Sequence, residues 1–371
     1  MANPLKTIIF SSLLITVSSV IAVAQTATPT PVIKEEEGVI KVDSRLIVIP
    51  VSVTNANGEP VTGLTAKDFT IQEEGKAQII DSLGNAETVP LEIALLFDVS
   101  ASTDAMFRFQ QETAAKFLRE VLRSEDRATI FTVGQKPILV QGREPAAQAI
   151  NAILGIKPTK GATAFFDTVR EAADFLKINS PEGRRRVIVV ISDGEDNFSV
   201  GVQKAQRQYE RNLMDNTPDP GLKKVEKLVV RAQNASKETE RKRVLRSLQN
   251  ADIVHYAINP AGSSYHLNQM SVFGQENMQI FSRDTGGTAF LPKFGAIDTK
   301  DQYQNEINMR KNSELLEKIF RQLANELRAQ YLIQYYSESE HPENKFVKLN
   351  VNLPARNDLR VRAREGYYAK N

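Results

Sequence analysis

Residues 93–106 read IALLFDVSASTDAM, and this stretch decides the fold. Its five opening apolar residues predict a short strand that is buried on both faces. Asp98, Ser100 and Ser102 follow at alternate positions, so three oxygen-bearing side chains stand where the strand ends. In parallel sheets, ligands bind beyond the carboxyl ends of the strands. The stretch therefore predicts a buried parallel strand with a ligand site at its end.

The rest of 89–329 repeats the alternation of apolar strands and amphipathic helices. Continuous apolar runs separated by helices are typical of a parallel sheet covered on both sides. We therefore expect an α/β domain with a doubly wound, mostly parallel sheet over 89–329, and a charged helical hairpin inserted at about 200–250. The predicted strands are 92–97, 128–133, 138–141, 186–192, 252–258 and 288–292, and the predicted helices are 105–123, 145–154, 164–178 and 312–328.

The segments on either side of the α/β domain alternate apolar and polar residues with a period of two. This pattern predicts half-buried strands, and neither segment alone is long enough to build a comfortable sheet core. We therefore expect residues 38–88 and 330–371 to pair into one β-sandwich. The α/β domain would then be inserted between them, which is feasible because domain ends often lie close together.

The first residues resemble a secretory signal peptide. Lys6 precedes an apolar run from Ile8 to Val23, and the small residues Ala22 and Ala24 flank Val23 at its end. We expect a signal peptide over 1–24, cleavage near Ala24 and a Thr/Pro-rich linker over 25–37. The mature protein would be exported to the periplasm or the cell exterior. The alternative is an uncleaved anchor, which would be the protein's only membrane contact.

The chain contains no cysteine, so disulfides, thiolate metal sites and cysteine nucleophiles are excluded. A large cysteine-free exported protein fits a bacterial envelope better than a disulfide-rich ectodomain. The formal net charge of +2 does not indicate a polyanionic partner. Export further disfavours nucleic acid, and the basic run 223–246 carries interspersed acids that are typical of a solvated helix face.

Two further loops are expected to meet the first at the same sheet edge. Thr163 lies in KGATAFFDT (160–168), just before a predicted helix, and Asp193 follows a predicted strand in ISDGEDN (191–197). Together with Asp98, Ser100 and Ser102 they form an oxygen-only donor set, which suits Mg²⁺, Mn²⁺ or Ca²⁺. Two carboxylates balance one divalent cation and leave it able to accept a further anionic group. The local alternatives are helix caps at the hydroxyls and a turn at Asp193.

These residues carry a resemblance to a known family. DVSAS, the Thr of GAT and the Asp of SDG match the metal-ion-dependent adhesion site of von Willebrand factor A domains, and the flanking TGGTAF, LRAQYLIQYY and REGYY resemble bacterial exported VWFA-related proteins. The resemblance implies that Ser100, Ser102 and Thr163 bind Mg²⁺ directly, while Asp98 and Asp193 act largely through water. It also implies that an acidic residue of a protein partner completes the coordination.

The function expected from this site is binding and not catalysis. An exported adhesion or assembly module would capture an acidic group of a protein partner through the metal. One alternative is a metal-dependent hydrolase, since Mg²⁺ held by carboxylates also serves phosphoryl transfer. Another is a structural module whose metal site is inactive. The sequence has no phosphate-binding loop or nucleophile elbow, and its three histidines are far apart.

Overall fold

The computed structural model describes residues 45–100, 104–159, 161–216, 222–260, 269–297 and 299–369. The predicted signal peptide, the linker, the first residues of the predicted sandwich and Ser102 lie outside these ranges. The strands are β1 (Arg45–Thr54), β2 (Thr70–Glu73), β3 (Lys76–Gln78), β4 (Ser82–Asn85), β5 (Leu91–Asp98), β6 (Arg127–Val133), β7 (Ile138–Glu144), β8 (Arg185–Ile191), β9 (Ile253–Ile258), β10 (Ala289–Phe290), β11 (Tyr331–Ser337), β12 (Phe346–Asn352), β13 (Arg360–Ala363) and β14 (Gly366–Tyr368).

The helices that connect the central strands are long, and two of them form the segment between β8 and β9. No helix in the described residues is long and apolar enough to cross a membrane. The helices are α1 (Asp104–Val121), α2 (Ala146–Leu154), α3 (Phe165–Asn179), α4 (Val200–Asn216), α5 (Leu222–Asn250), α6 (Gln269–Thr285) and α7 (Gln302–Arg328).

The central sheet has six strands in the described part of the chain, in the order β10-β9-β8-β5-β6-β7. All neighbours are parallel except β7, which runs antiparallel to β6 at the sheet edge. Every residue of β5 is buried, because β5 lies in the middle of the sheet between β6 and β8. A strand with two covered faces needs a continuous apolar run, which is the pattern seen in the sequence.

Alternate residues of β5 supply two separate apolar layers. Ile93, Leu95 and Phe97 face a cluster that includes residues of α1, α2 and α7. Ala94 and Leu96 face the opposite cluster, which contains residues of α3, α5 and α6. The sheet is therefore covered by helices on both sides, and the predicted doubly wound α/β class is confirmed.

The strands from the two chain ends build two four-stranded sheets in the described residues. Their orders are β13-β1-β11-β4 and β14-β12-β2-β3, so each sheet mixes strands from before and after the α/β segment. The inward residues form one apolar cluster that includes Ile49, Ile71, Ile333 and Val351. The α/β segment is thus inserted in a sandwich of amino- and carboxyl-terminal strands. Residues Asp43–Asn371 form one compact unit.

Helix α6 is absent from the sequence-based prediction, and α7 begins earlier than predicted. Helix α7 begins after Asp301, whose side chain accepts a hydrogen bond from the backbone of Gln304 and caps the helix. Helix α6 fills the interval between β9 and β10. Its position next to the predicted ligand loops makes it the most consequential element that the pattern did not predict.

Candidate metal-binding site

Asp98 is the last residue of the central strand β5, and both oxygens of its carboxylate accept hydrogen bonds. Its Oδ1 accepts hydrogen bonds from the backbone N–H and the hydroxyl of Ser100, at 2.9 and 2.6 Å. Its Oδ2 accepts a hydrogen bond from the Ser192 hydroxyl at 2.6 Å. Asp98 is 7% exposed. The carboxylate therefore joins the first loop to the end of the neighbouring strand β8, as the parallel order of the two strands requires.

Thr163 joins the second loop to the third. Its hydroxyl donates to the carbonyl oxygen of Glu195 at 2.8 Å, and its N–H donates to Oδ1 of Asn197 at 2.8 Å. The alternative role as a helix cap is not observed, since α3 has Ala164 at its N-cap position. Oδ2 of Asp196 instead accepts the N–H of Phe166 in the first turn of α3. Thr163 therefore belongs to the loop cluster and not to the helix end.

The two described hydroxyls are oriented as metal ligands would have to be. A hydroxyl has one hydrogen to donate and two lone pairs. Ser100 gives its hydrogen to Asp98, and Thr163 gives its hydrogen to the Glu195 carbonyl. The lone pairs of both oxygens remain available to a cation. This oxygen-only set fits a hard divalent metal such as Mg²⁺.

Asp193 supplies the second carboxylate and also forms a turn. Its Oδ1 accepts the N–H of Glu195 at 3.0 Å, and Gly194 takes a positive φ of 76°, which favours glycine. The turn expected as a local alternative is therefore present.

The electrostatics of the two carboxylates favour a bound cation. Burial raises the pKa of Asp98, against the opposing hydrogen bonds from Ser100 and Ser192. Burial and the nearby charge of Asp98 raise the pKa of Asp193 to about 6. Both ionised groups are thus disfavoured by low dielectric surroundings and by each other. A divalent cation would remove both penalties at once.

The structure brings four of the five predicted residues into this cluster: Asp98, Ser100, Thr163 and Asp193. Ser102 lies outside the described residues. No group of three His, Cys, Asp or Glu side chains in the described ranges is arranged to hold a metal, so any metal here depends on the hydroxyls. Sequence reasoning missed the fully buried Ser192, although it directly precedes Asp193. It also missed Asn197, which fixes the second loop.

Helix α6 holds the third loop from behind through a close backbone approach. A Cβ atom at Gly274 would lie 2.7 Å from the carbonyl oxygen of Asp193 and 2.8 Å from the nitrogen of Glu195. The position therefore excludes any side chain. Ser271 adds a hydrogen bond to the Glu195 carboxylate, and the side-chain amide of Asn277 donates to the Gly194 carbonyl at 3.4 Å. The conformation of the third loop, residues 191–197, thus depends on where α6 packs.

The inserted hairpin of α4 and α5 reaches the same loop from the side. Lys237 and Arg241 of α5 both lie against the ring of Phe273 in α6, at 5.7 and 5.0 Å from its centroid. Burial lowers the pKa of Lys237, and the charges of Asp196 and Glu195 oppose that shift. The hairpin therefore contributes a cation beside the acidic loop.

The comparison with protein families agrees with the loop geometry. Residues 93–195 match the family model described as von Willebrand factor type A domain. The chain carries a von Willebrand factor type A domain. The match begins in β5 and ends at residue 195 within the third loop, so it includes Asp98, Ser100, Thr163 and Asp193. No curated protein matches the chain.

Several solved structures are similar to the A domain and its surroundings, all weakly. Proximal thread matrix protein 1 from the mussel byssus shares 13% identity at a TM-score of 0.41, covering 69% of this chain and 50% of that one. Another structure of that protein is described as having a zinc-occupied MIDAS motif. This chain thus spans about half the length of the mussel protein.

Two bacterial structures are also similar. BatB from Bacteroides thetaiotaomicron shares 14% identity at a TM-score of 0.32, covering 62% of this chain and 99% of that one. The type V pili tip protein Mfa5 from Porphyromonas gingivalis shares 11% identity at a TM-score of 0.36, covering 67% and 53%. Similarities at this level carry no information about the ligands of this A domain.

Proposed function

We propose that the A domain binds a divalent metal, Mg²⁺ or else Mn²⁺ or Ca²⁺, and uses it to capture an acidic group of a protein partner. The observation that carries the proposal is the orientation of the Ser100 and Thr163 hydroxyls, whose hydrogens are both donated to the protein. Ser100, Ser102 and Thr163 would hold the metal directly. Asp98 and Asp193 would balance its charge and orient its water ligands.

The proposed role is adhesion or assembly and not catalysis. When bound, the metal would supply an electrophilic centre for a carboxylate. The protein's own residues position that centre: Ser192 fixes the Asp98 carboxylate, and Asn197 and the Glu195 carbonyl fix Thr163. The total charge of the two aspartates neutralises the cation without exceeding it. An acidic group from a partner would therefore still be attracted.

Peptides selected from a random library on the immobilised mature protein in Mg²⁺ test this proposal. We expect the selected peptides to contain Asp or Glu. Their binding should fall at least about tenfold when chelator removes the metal, when the peptide's acid is replaced by Asn or Gln, and when the protein carries Asp193→Asn. Each of these changes removes a charge-assisted interaction. Repeating the assay in Mn²⁺, Ca²⁺ and Zn²⁺ would identify the preferred metal.

Three results would count against metal-bridged capture. Peptide binding that survives chelator but is lost when residues 200–245 are deleted would favour a structural module that binds through the hairpin. Hydrolysis of generic phosphoesters by the purified protein, lost in Asp98→Asn, would favour the hydrolase alternative. Selected peptides without acidic residues would contradict the proposed ligand chemistry.

We also propose that the protein is exported and that its signal peptide is removed. The proposal rests on the pattern around Lys6, the apolar run to Val23 and the small residues ending at Ala24. Sequencing the amino terminus of the protein purified from its bacterial host should therefore begin at Gln25. An amino terminus at Met1 or Ala2, with the protein in the membrane fraction, would instead show an uncleaved anchor.

A further inference from the structure

A groove of about 570 Å³ lies at the opposite end of the central sheet from the candidate metal site. It is bordered by the first residues of β8 and β9, whereas the metal loops follow the carboxyl ends of the strands. A seven-residue strand is about 23 Å long, so the two regions do not overlap. The volume falls in the range of about 300–1,000 Å³ that is typical of small-molecule sites.

One wall of the groove is apolar and accessible. It is the outer face of the sandwich sheet, with Leu46, Val48 and Pro50 on β1, and the buried Leu332 of β11, 3% exposed, lies beneath them. The alternate residues Ile47 and Ile49 point into the sandwich core. Leu46 and Val48 are 44% and 37% exposed, so the wall offers apolar surface that a ligand could remove from water.

The facing wall is cationic. The residues that line the groove include six basic side chains and only two acidic ones. Arg184, Arg185 and Arg186 are consecutive where β8 begins, whereas Arg45 belongs to β1 itself and Arg364 donates to the Val48 carbonyl at 3.0 Å, on the apolar side. The basic residues are Arg45, Lys177, Arg184, Arg185, Arg186 and Arg364, and the acidic residues are Glu182 and Asp252.

Two of the arginines are paired with acids, one with a buried glutamate and one with an exposed aspartate of the groove. Arg184 pairs with the buried Glu92. Arg143 also donates to Glu92, with two hydrogen bonds to Oε1 and one to Oε2. Arg364 pairs with Asp252 at 2.6 Å. Arg184 and Arg364 are therefore already paired, and Arg185 and Arg186 are arginines of the groove that a ligand could pair with.

Arg185 and Arg186 form no salt bridge in the described part of the chain, and the only carboxylate whose charge acts on Arg185 there is that of Asp126. Arg185 donates to the Leu327 carbonyl and to the Gln330 side chain, at 2.9 and 3.0 Å. Arg186 donates to the carbonyls of Ala251 and Ser180, at 3.1 and 3.4 Å, and its buried Nε finds no acceptor among the described residues. Burial lowers the pKa of Arg185 to about 10, so its guanidinium group remains charged at neutral pH.

We infer that this groove binds a single-chain anionic amphiphile. The acidic head, a carboxylate or a phosphate, would lie at Arg185 and Arg186, where it supplies the missing counter-charge with the geometry that guanidinium groups favour. The apolar chain would lie along Leu46 and Val48. A neutral ligand would leave the arginines unpaired, and a free anion would leave the apolar wall in water.

The test measures binding of dodecanoate and dodecyl phosphate to the mature protein by calorimetry, below their micelle concentrations and in chelator. Chelator separates this site from the proposed metal site. We expect both probes to bind, and neutral dodecanol, acetate and inorganic phosphate to bind at least about tenfold more weakly, because each lacks one half of the interaction. The ratio of the two dodecyl affinities shows which head group is preferred.

Two variants, one on each wall of the groove, test the inference separately, so that misfolding of one variant does not decide the result. Arg186→Gln and the surface change Val48→Gln should each weaken dodecyl binding about tenfold, since each removes a charge-assisted bond or apolar contact. Arg119→Gln on the exposed face of α1 is the matched control and should bind as the wild type does. Absence of binding, equal binding of dodecanol, or unchanged binding by both groove variants would overturn the inference.

Discussion

Mg²⁺ added to the chelator-treated mature protein is expected to raise its melting temperature, and Asp98→Asn is expected to abolish the rise. A ligand at about 100 times its dissociation constant adds about 2.7 kcal/mol to the free energy of unfolding. For a domain of this size that is about 5–10 °C. The effect should be large because two carboxylates with raised pKa values stand close together in the metal-free protein.

The melting temperatures of wild type and Asp98→Asn in chelator are as informative as those in excess metal. Asn is isosteric with Asp and keeps one acceptor for Ser100 or Ser192, while it removes the buried charge that opposes Asp193. In chelator, Asp98→Asn should therefore melt no lower than the wild type. In excess metal, it should melt below the wild type. Reversal of the order of the two melting temperatures on metal addition is the expected signature.

Asp126→Asn provides the matched control. Asp126 is a buried aspartate that accepts the N–H groups of Leu91 and Arg123, away from the metal loops. Its substitution should lower the melting temperature equally with and without metal. A wild-type protein that shows no rise in millimolar Mg²⁺, Mn²⁺ or Ca²⁺ would contradict a metal site formed by this chain alone.

Glu73→Ala is expected to cost the sandwich about 3–5 kcal/mol of unfolding free energy, as when one partner of a buried ionic network is removed. Glu73 is 1% exposed. Its carboxylate accepts hydrogen bonds from Ser337 at 2.7 Å and from the hydroxyls of Tyr335 and Tyr367, at 2.5 and 3.1 Å. His341 Nε2 lies 3.0 Å away. Truncation would leave these buried polar groups without their acceptor.

The same residue gives the sandwich a defined response to acid. Burial would raise the pKa of Glu73, but the hydrogen bonds from Tyr335, His341 and Ser337 outweigh it and hold the pKa below the ordinary 4.5. A lowered pKa means that the ionised carboxylate stabilises the fold above pH 4.5. That contribution is lost as pH falls through the folded-state pKa. Glu73→Gln should remove this part of the acid sensitivity.

Urea denaturation at neutral pH and in a series down to pH 3 measures both effects. Gln72→Ala, an exposed change on the same strand, is the control and should stay within about 0.5 kcal/mol of the wild type. If Glu73→Ala cost no more than Gln72→Ala, the buried network would not stabilise the sandwich. If wild type and Glu73→Gln lost stability in parallel between pH 5 and pH 3, the assigned titration would be wrong.

The sequence predicts the central sheet and the loops at its end because their signals are local. β5 is buried on both faces, so its apolar run is unbroken and it ends visibly at Asp98. The convergence of the loops then follows from the geometry of parallel strands. Ser192 was not predicted because its role depends on the register of β8 against β5, which is set by tertiary packing and not by local pattern.

Helix α6 was missed for a different physical reason. Its buried residues do recur with helical spacing, but only Met278 and Phe281 among them are large apolar residues. The others are Gly274, Asn277, Ser282, Asp284 and Thr285, so the hydrophobic period is hidden. The glycine is needed for the approach to the metal loop, and Asn277 and Ser271 bond to that same loop. The requirements of the candidate site thus removed the pattern that would have revealed the helix.

The interleaving of the sandwich strands fixes the order in which the chain can mature. Glu73 and Tyr335 bond to each other across 262 residues of sequence, so the sandwich cannot be completed before nearly the whole chain has emerged from the ribosome. Contacts of such separation form slowly. The α/β layer, with its more local contacts, can fold first and bring the waiting strands together. A chain truncated before β11 would therefore carry the loops of the candidate metal site beside unpaired strand edges, which are prone to aggregation.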